Sequence, residues 1–165
     1  MEHHAAGTGL FAALEQSGLG HTLRSSLWLY PAVETLHIVG FALLVGSIVT
    51  FDVRVLGAGR GFDVEGWAGR VLPITIAGFV LAATMGALLF SVEATAYVRN
   101  PMFLAKLALI ALALGNIAWF HWGPYRWLRM VGPGGEPPGA LKVSALISLL
   151  LWLAVLTCGR LIAYV

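Results

Sequence analysis

The chain has 165 residues, 59% of them hydrophobic and 11% charged, against about 25% charged in an ordinary soluble domain. So few charges cannot clothe a water-facing exterior, which leaves lipid as the solvent of the outside. The net charge of +2 is too small and too scattered to attract nucleic acid, and a single cysteine, Cys158, cannot close an internal disulfide.

Residues 1–19 carry Glu2 and Glu15 but no Lys or Arg. They lack the basic start and longer apolar core of a cleavable signal, so the first true span is expected to insert and stay. Within an N-terminal interfacial segment, 1–25, the apolar residues Leu10, Phe11, Leu14 and Leu19 suit a short helix lying on the membrane surface. Four apolar runs follow, at about 28–50, 71–92, 102–123 and 143–163, each close to the ~20 residues a span requires. None alternates polar and apolar residues as a barrel strand does. Backbone in lipid must satisfy its own hydrogen bonds, so these runs are helices. The expected fold is all-α: an integral membrane four-helix bundle, with residues 1–165 forming a single transmembrane domain.

The 51–70 connection carries Asp52, Arg54, Arg60, Asp63, Glu65 and Arg70, and the 124–142 connection carries Arg126, Arg129 and Lys142. The Pro/Gly-rich stretch 132–139 forbids continuous helix there. Basic residues favour this side six to four over Arg24, Arg99, Lys106 and Arg160. The positive-inside rule then places both connections in the cytoplasm and both termini in the periplasm of a bacterial inner membrane. Asp52 with Arg54, and Asp63 with Arg60, read as screened surface pairs worth about 0–1 kcal/mol each, with no catalytic role. Gly40 and Gly46, the Gly78/Ala82/Gly86 stripe and the Ala108/Ala111/Gly115/Ala118 stripe read as helix contacts. Ser144 and Ser148 read as hydrogen bonders between helices or to their own backbone.

The informative residues are the ionisable ones inside the spans. Glu34 and His37 share a helix face. Measured from the expected periplasmic surface, Glu34 lies about 9 Å deep, His37 about 13 Å and Lys106 about 6 Å, with Glu93 and Arg160 near the surface. Each span thus gives one charge to a common layer, where charges face the bundle interior. In one reading Glu34 and Glu93 pair with Lys106 and Arg160 and set helix register. In the other the layer is a binding site, with His37 as a haem or metal ligand and Met85, about 10 Å deep, as the depth-matched second ligand of a His/Met haem. His121 lies about 15 Å further down than His37, too far to share one haem. It sits among Trp119, Trp122, Tyr125 and Trp127 as part of an aromatic belt.

The stretch SLWLYPAVETLHIVGFALLVGSIVTFDVRVLG, residues 26–57, resembles the first span of a family of small bacterial membrane proteins known as a domain of unknown function. The later pieces LPITIAGFVLAATMGALLFSVEATAYVRNPMFLAKL and the final span with Gly159 and Arg160 fit the same pattern. The matching positions include Pro31, Glu34, His37, Asp52, Arg54, Gly57, Pro73, Gly78, Gly86, Asn100, Pro101 and Lys106. The resemblance implies the four-helix fold and no particular activity. A looser architectural likeness to copper-resistance membrane proteins and b-type cytochrome subunits brings metal or haem into view by analogy of fold alone.

No Gly-rich phosphate loop follows a strand, no paired-histidine zinc motif is present, and no Ser-His-Asp set shares a layer. The leading expectation is therefore a non-enzymatic inner-membrane subunit that binds one haem b or a metal through His37. It would serve electron transfer with other membrane or periplasmic redox proteins, as an oligomer or complex subunit. The alternative is a cofactor-free structural or assembly subunit. A small transporter ranks third, because the middle of spans two and four offers only Thr84, Ser148 and Thr157.

Overall fold

The four apolar runs do form helices, and most of the helices outrun them. The computed structural model describes residues 9–58, 64–123 and 137–165. In chain order these residues form α1 (Leu10–Glu15), α2 (Gly18–Ser25), α3 (Leu29–Val55), α4 (Val64–Phe90), α5 (Ala94–Tyr97), α6 (Pro101–Trp122) and α7 (Gly139–Leu161), the last ending in a 3₁₀ turn, Ile162–Tyr164. No strand occurs among the described residues. The helices α3, α4, α6 and α7 are each long and apolar enough to cross a membrane. Their exteriors are apolar too: Ile38 is 60% exposed and Leu112 61%. Such faces are solvated by lipid, so this is a membrane protein with an all-α bundle.

Residues 51–55 and 64–70, read from the sequence as loop, are helical. Charges at Asp52, Arg54 and Arg70 end an apolar run, but they do not interrupt the main-chain hydrogen bonds. Helix α3 ends where its backbone does, at Gly57. This glycine adopts φ 113°, its N–H bonds the Arg54 carbonyl, and the Ala58 N–H bonds that of Val53. This is the Schellman closure, which favours glycine at the left-handed position. At the other boundary, Asn100 caps α6 by accepting from the N–H groups of Met102 and Phe103 at 2.9 and 3.1 Å. Pro101 follows at the first helical position, where its missing N–H costs nothing.

The closely packed pairs are α3–α4, α6–α7 and α3–α7; α4 and α6 are not such a pair. The α3–α4 seam is the tightest. A Cβ on Gly40 would lie 2.6 Å from the Ala82 nitrogen, and one on Gly78 would lie 2.6 Å from the Leu44 nitrogen. Only glycine lets the two backbones approach this closely. The second small-residue stripe behaves differently. Ala108, Ala111 and Gly115 are exposed, and Gly115 faces open space. Helix α6 instead meets α3 and α7 through Ala113, Leu109, Ile110 and Ile117, which pack with Leu44, Ile48, Trp152 and Val155. These three residues of the stripe are thus not a helix contact among the described residues.

The interfacial helix of the N-terminus is two helices, α1 and α2, broken at Ser17, whose hydroxyl accepts from the Gly20 N–H. They fold onto the end of α4 and onto α5. Phe11 meets Phe90 edge-on at 6.1 Å, the Thr95 hydroxyl and N–H donate to Glu15 at 2.6 and 2.7 Å, and Arg24 donates to the Val92 carbonyl.

Candidate functional site

The charged layer expected near the periplasmic end does not assemble as ion pairs. Glu34 and Glu93 are exposed. The exposed Arg160 donates to the Tyr164 hydroxyl at 2.6 Å and lies over that ring. Lys106 is half-buried and rests its Nζ against Gly159. Among the described residues none of these four groups pairs with another within 4.0 Å. The reading in which Glu34 and Glu93 neutralise Lys106 and Arg160 is therefore corrected. Glu34, Glu93 and Arg160 turn to the exterior of the bundle instead.

His37 is held firmly. Its Nδ1 lies 2.8 Å from the Ala82 carbonyl across the seam, and its ring rests on Gly86, where a Cβ would come within 3.0 Å of Cε1. A carbonyl only accepts, so Nδ1 carries the proton and Nε2 holds the lone pair. Met85 does share this depth, one residue before Gly86, but its side chain packs with Leu23, Val33 and Val92. The backbones of α3 and α4 touch at Gly40, Gly78 and Ala82, so no planar macrocycle fits in the seam between His37 and Met85. The pair does not fit a haem. No cluster of three His, Cys, Asp or Glu occurs among the described residues to hold a metal.

A second constellation lies at the opposite end, where α3 and α6 finish and α4 and α7 begin. Asp52, read from the sequence as a surface charge, is 5% exposed. It lies about 5 Å from the end of α3 and faces inward, onto a cavity of about 150 Å³ lined by Phe51, Thr75, Asn116, Phe120, Ser144 and Ser148 among others. Ser148 shares the wall with the carboxylate, and Asp52 Oδ2 is buried without a hydrogen-bond partner. An unpaired buried carboxylate oxygen is expensive, and buried polar groups are satisfied in the great majority of cases. Four further polar residues of this wall and its surroundings pair with one another. Ser47 and Thr75 share a hydrogen bond of 2.8 Å. The Ser144 hydroxyl donates to Asn116 Oδ1, and Asn116 Nδ2 returns a bond to the Ser144 carbonyl, both at 3.1 Å.

Two further features shape this wall. Pro73 lies inside α4 and has no N–H to give the Gly69 carbonyl four residues earlier; Gly69 lines the cavity. His121, expected only as a belt residue, also lines it and meets Phe120 edge-on at 5.6 Å. Tyr125, Trp127, Arg60, Asp63, Arg126 and Arg129 lie outside the described residues.

The sequence did carry a signal for this site. Asp52, Ser47 and Ile48 share an inward helical face with Leu44 and Val55, and helical periodicity places a carboxylate on that face. Neither a protein-family model, nor a curated protein, nor a solved structure matches the chain.

Proposed function

We propose that the protein is a small non-enzymatic carrier of the bacterial inner membrane, with both termini periplasmic, that exchanges a proton for a solute at Asp52. One observation carries this reading: a carboxylate 5% exposed, with one oxygen unpartnered, at the wall of a cavity. An ionisable residue inside a membrane bundle marks a substrate or proton site by default. The polar residues that looked too few along any one span converge in space, which lifts the transporter class above its rank from the sequence. The α3–α4 seam is closed at Gly40 and Gly78, so the cavity is confined to the Asp52 end of the bundle.

The test uses the full chain in proteoliposomes with an entrapped pH dye. Outward gradients of sodium, potassium, benzylammonium, tetramethylammonium and small zwitterions are imposed in turn. At least one should drive proton uptake, and Asp52→Asn should return the rate to that of empty vesicles. Wild-type vesicles indistinguishable from empty ones under every gradient would end the carrier reading.

A second reading rests on His37. A histidine that gives one ring N–H to a backbone carbonyl and keeps the other nitrogen free has the arrangement of a ligating imidazole. In that reading the chain is a subunit of a redox complex, and a partner subunit supplies the remaining ligands. The visible spectrum and metal content of the purified complex, with and without His37→Ala, decide it.

A further inference from the structure

We infer that the Asp52 cavity takes a small organic monocation: an ammonium group carrying an apolar body of about benzene's size. The inference deepens the carrier reading and rests on it for the site's purpose, but not for its chemistry.

Charge comes first. Among the described residues Asp52 is the only carboxylate on the cavity wall, and Lys and Arg are absent from it. The titratable groups at this end of the bundle, among the described residues, are Arg54 on α3, Glu65 and Arg70 on α4, His121 on α6 and Lys142 on α7. Of Arg54, Arg70, His121 and Lys142 only His121 reaches the cavity. A single buried carboxyl that gives up its proton in a low-dielectric wall favours a ligand that replaces that proton with one positive charge.

Hydrogen bonding narrows the class. Ser144, Ser47 and Thr75 have partners, as does one of the two Asn116 N–H groups. The buried acceptor left open is Asp52 Oδ2, and Pro73 leaves the Gly69 carbonyl without its helical donor. A ligand that fits supplies N–H donors and needs none in return, as an ammonium does. A carboxylic acid would bring a second negative charge to the wall that holds Asp52.

Size and shape complete the argument. A cavity near 150 Å³ holds a molecule of about benzene's size, and this one measures about 150 Å³. Beyond the carboxylate its wall is Ile48, Val71, Leu72 and the edge-to-face pair Phe51 and Phe120, whose centroids lie 5.7 Å apart. Apolar and aromatic walls suit a hydrocarbon body, and aromatic faces add attraction for a cation. Arrival of one monocation and departure of one proton from Asp52 leave the buried charge unchanged, so the exchange is electroneutral.

The experiment is calorimetric titration of the full chain in detergent, at neutral pH, with benzylammonium, methylammonium, benzyl alcohol and benzoate. Benzylammonium should bind about tenfold or more tightly than benzyl alcohol, the difference between a charge-assisted and a neutral hydrogen bond. Methylammonium should bind more weakly for want of apolar contact, and benzoate should give no heat. Asp52→Asn, which keeps the shape and removes the charge, should weaken benzylammonium at least tenfold and leave benzyl alcohol unchanged. The wild-type series decides the matter even where the variant does not fold. Equal binding of benzylammonium and benzyl alcohol, or no binding by either, overturns the assignment. The two proposals fail separately. Proton exchange that depends on Asp52 but answers only to inorganic cations keeps the carrier and removes the organic monocation. Benzylammonium binding without any flux keeps the site and removes the carrier.

Discussion

Substituting Gly40 by alanine tests the seam that holds the bundle together. The added Cβ would sit 2.6 Å from the Ala82 nitrogen and 3.0 Å from the Gly78 oxygen, where ordinary contact starts at 3.4 Å. Both neighbours are main-chain atoms, so no side chain can turn aside, and α3 and α4 must separate by about 0.8 Å. The His37–Ala82 hydrogen bond, 2.8 Å long, would stretch to about 3.6 Å, beyond useful length. Losing it costs about 0.5–1.5 kcal/mol, and overpacking costs about 1–3 kcal/mol. Against this stands a gain of about 1 kcal/mol in helix propensity. The expected net loss is about 1–3 kcal/mol. Gly46→Ala is the control, because its Cβ meets nothing within 4 Å, so it should be neutral or stabilising by up to about 1 kcal/mol. Reversible unfolding in mixed micelles, followed by circular dichroism, measures both. A Gly40→Ala protein as stable as Gly46→Ala would refute the contact geometry.

Nitrogen NMR of labelled His37 should show a protonated Nδ1 and a lone pair on Nε2, because the Ala82 carbonyl can only accept; the opposite tautomer would break that assignment. Asn100→Ala should lower stability by about 1–2 kcal/mol, because it removes the cap on Met102 and Phe103 and the 3.1 Å bond to the Ile162 carbonyl; the melting midpoint checks it. The Thr95 hydroxyl, and then its N–H, hold the Glu15 carboxyl below its ordinary value of 4.5. A depressed carboxyl pKa stabilises the fold above the unfolded value and loses that contribution as pH falls through the folded one. The protection factor of the Thr95 amide should therefore fall below about pH 4.5, and Glu15→Ala should remove that pH dependence.

The bundle was legible in the sequence because lipid demands runs of apolar residues, and such runs are visible without coordinates. Helix ends were less so. The notion that charge ends a span placed Asp52 in a loop, whereas the ladder of hydrogen bonds continues to Gly57. That one misplacement hid the candidate site, since a carboxylate in a loop is solvated and one on an inward helix face is not. His37 was recognised as special, but its partner, a carbonyl on α4, has no signature in residue types. The convergence of Asn116, Ser144 and Ser148 depends on which faces of α6 and α7 turn inward, and their near-uniform apolarity conceals it. The α6 stripe of Ala108, Ala111 and Gly115 shows the converse, a packing motif that faces outward here.

Dicyclohexylcarbodiimide, an apolar reagent that modifies protonated carboxyls out of reach of water, addresses Asp52 directly. Membranes containing the full chain are treated with it, and the adducts are mapped by peptide mass spectrometry. An adduct concentrated on Asp52, and suppressed when benzylammonium is present, is the predicted outcome. Modification confined to the exposed Glu34 and Glu93, with Asp52 untouched, would contradict a protonatable, ligand-accessible carboxyl in the bundle.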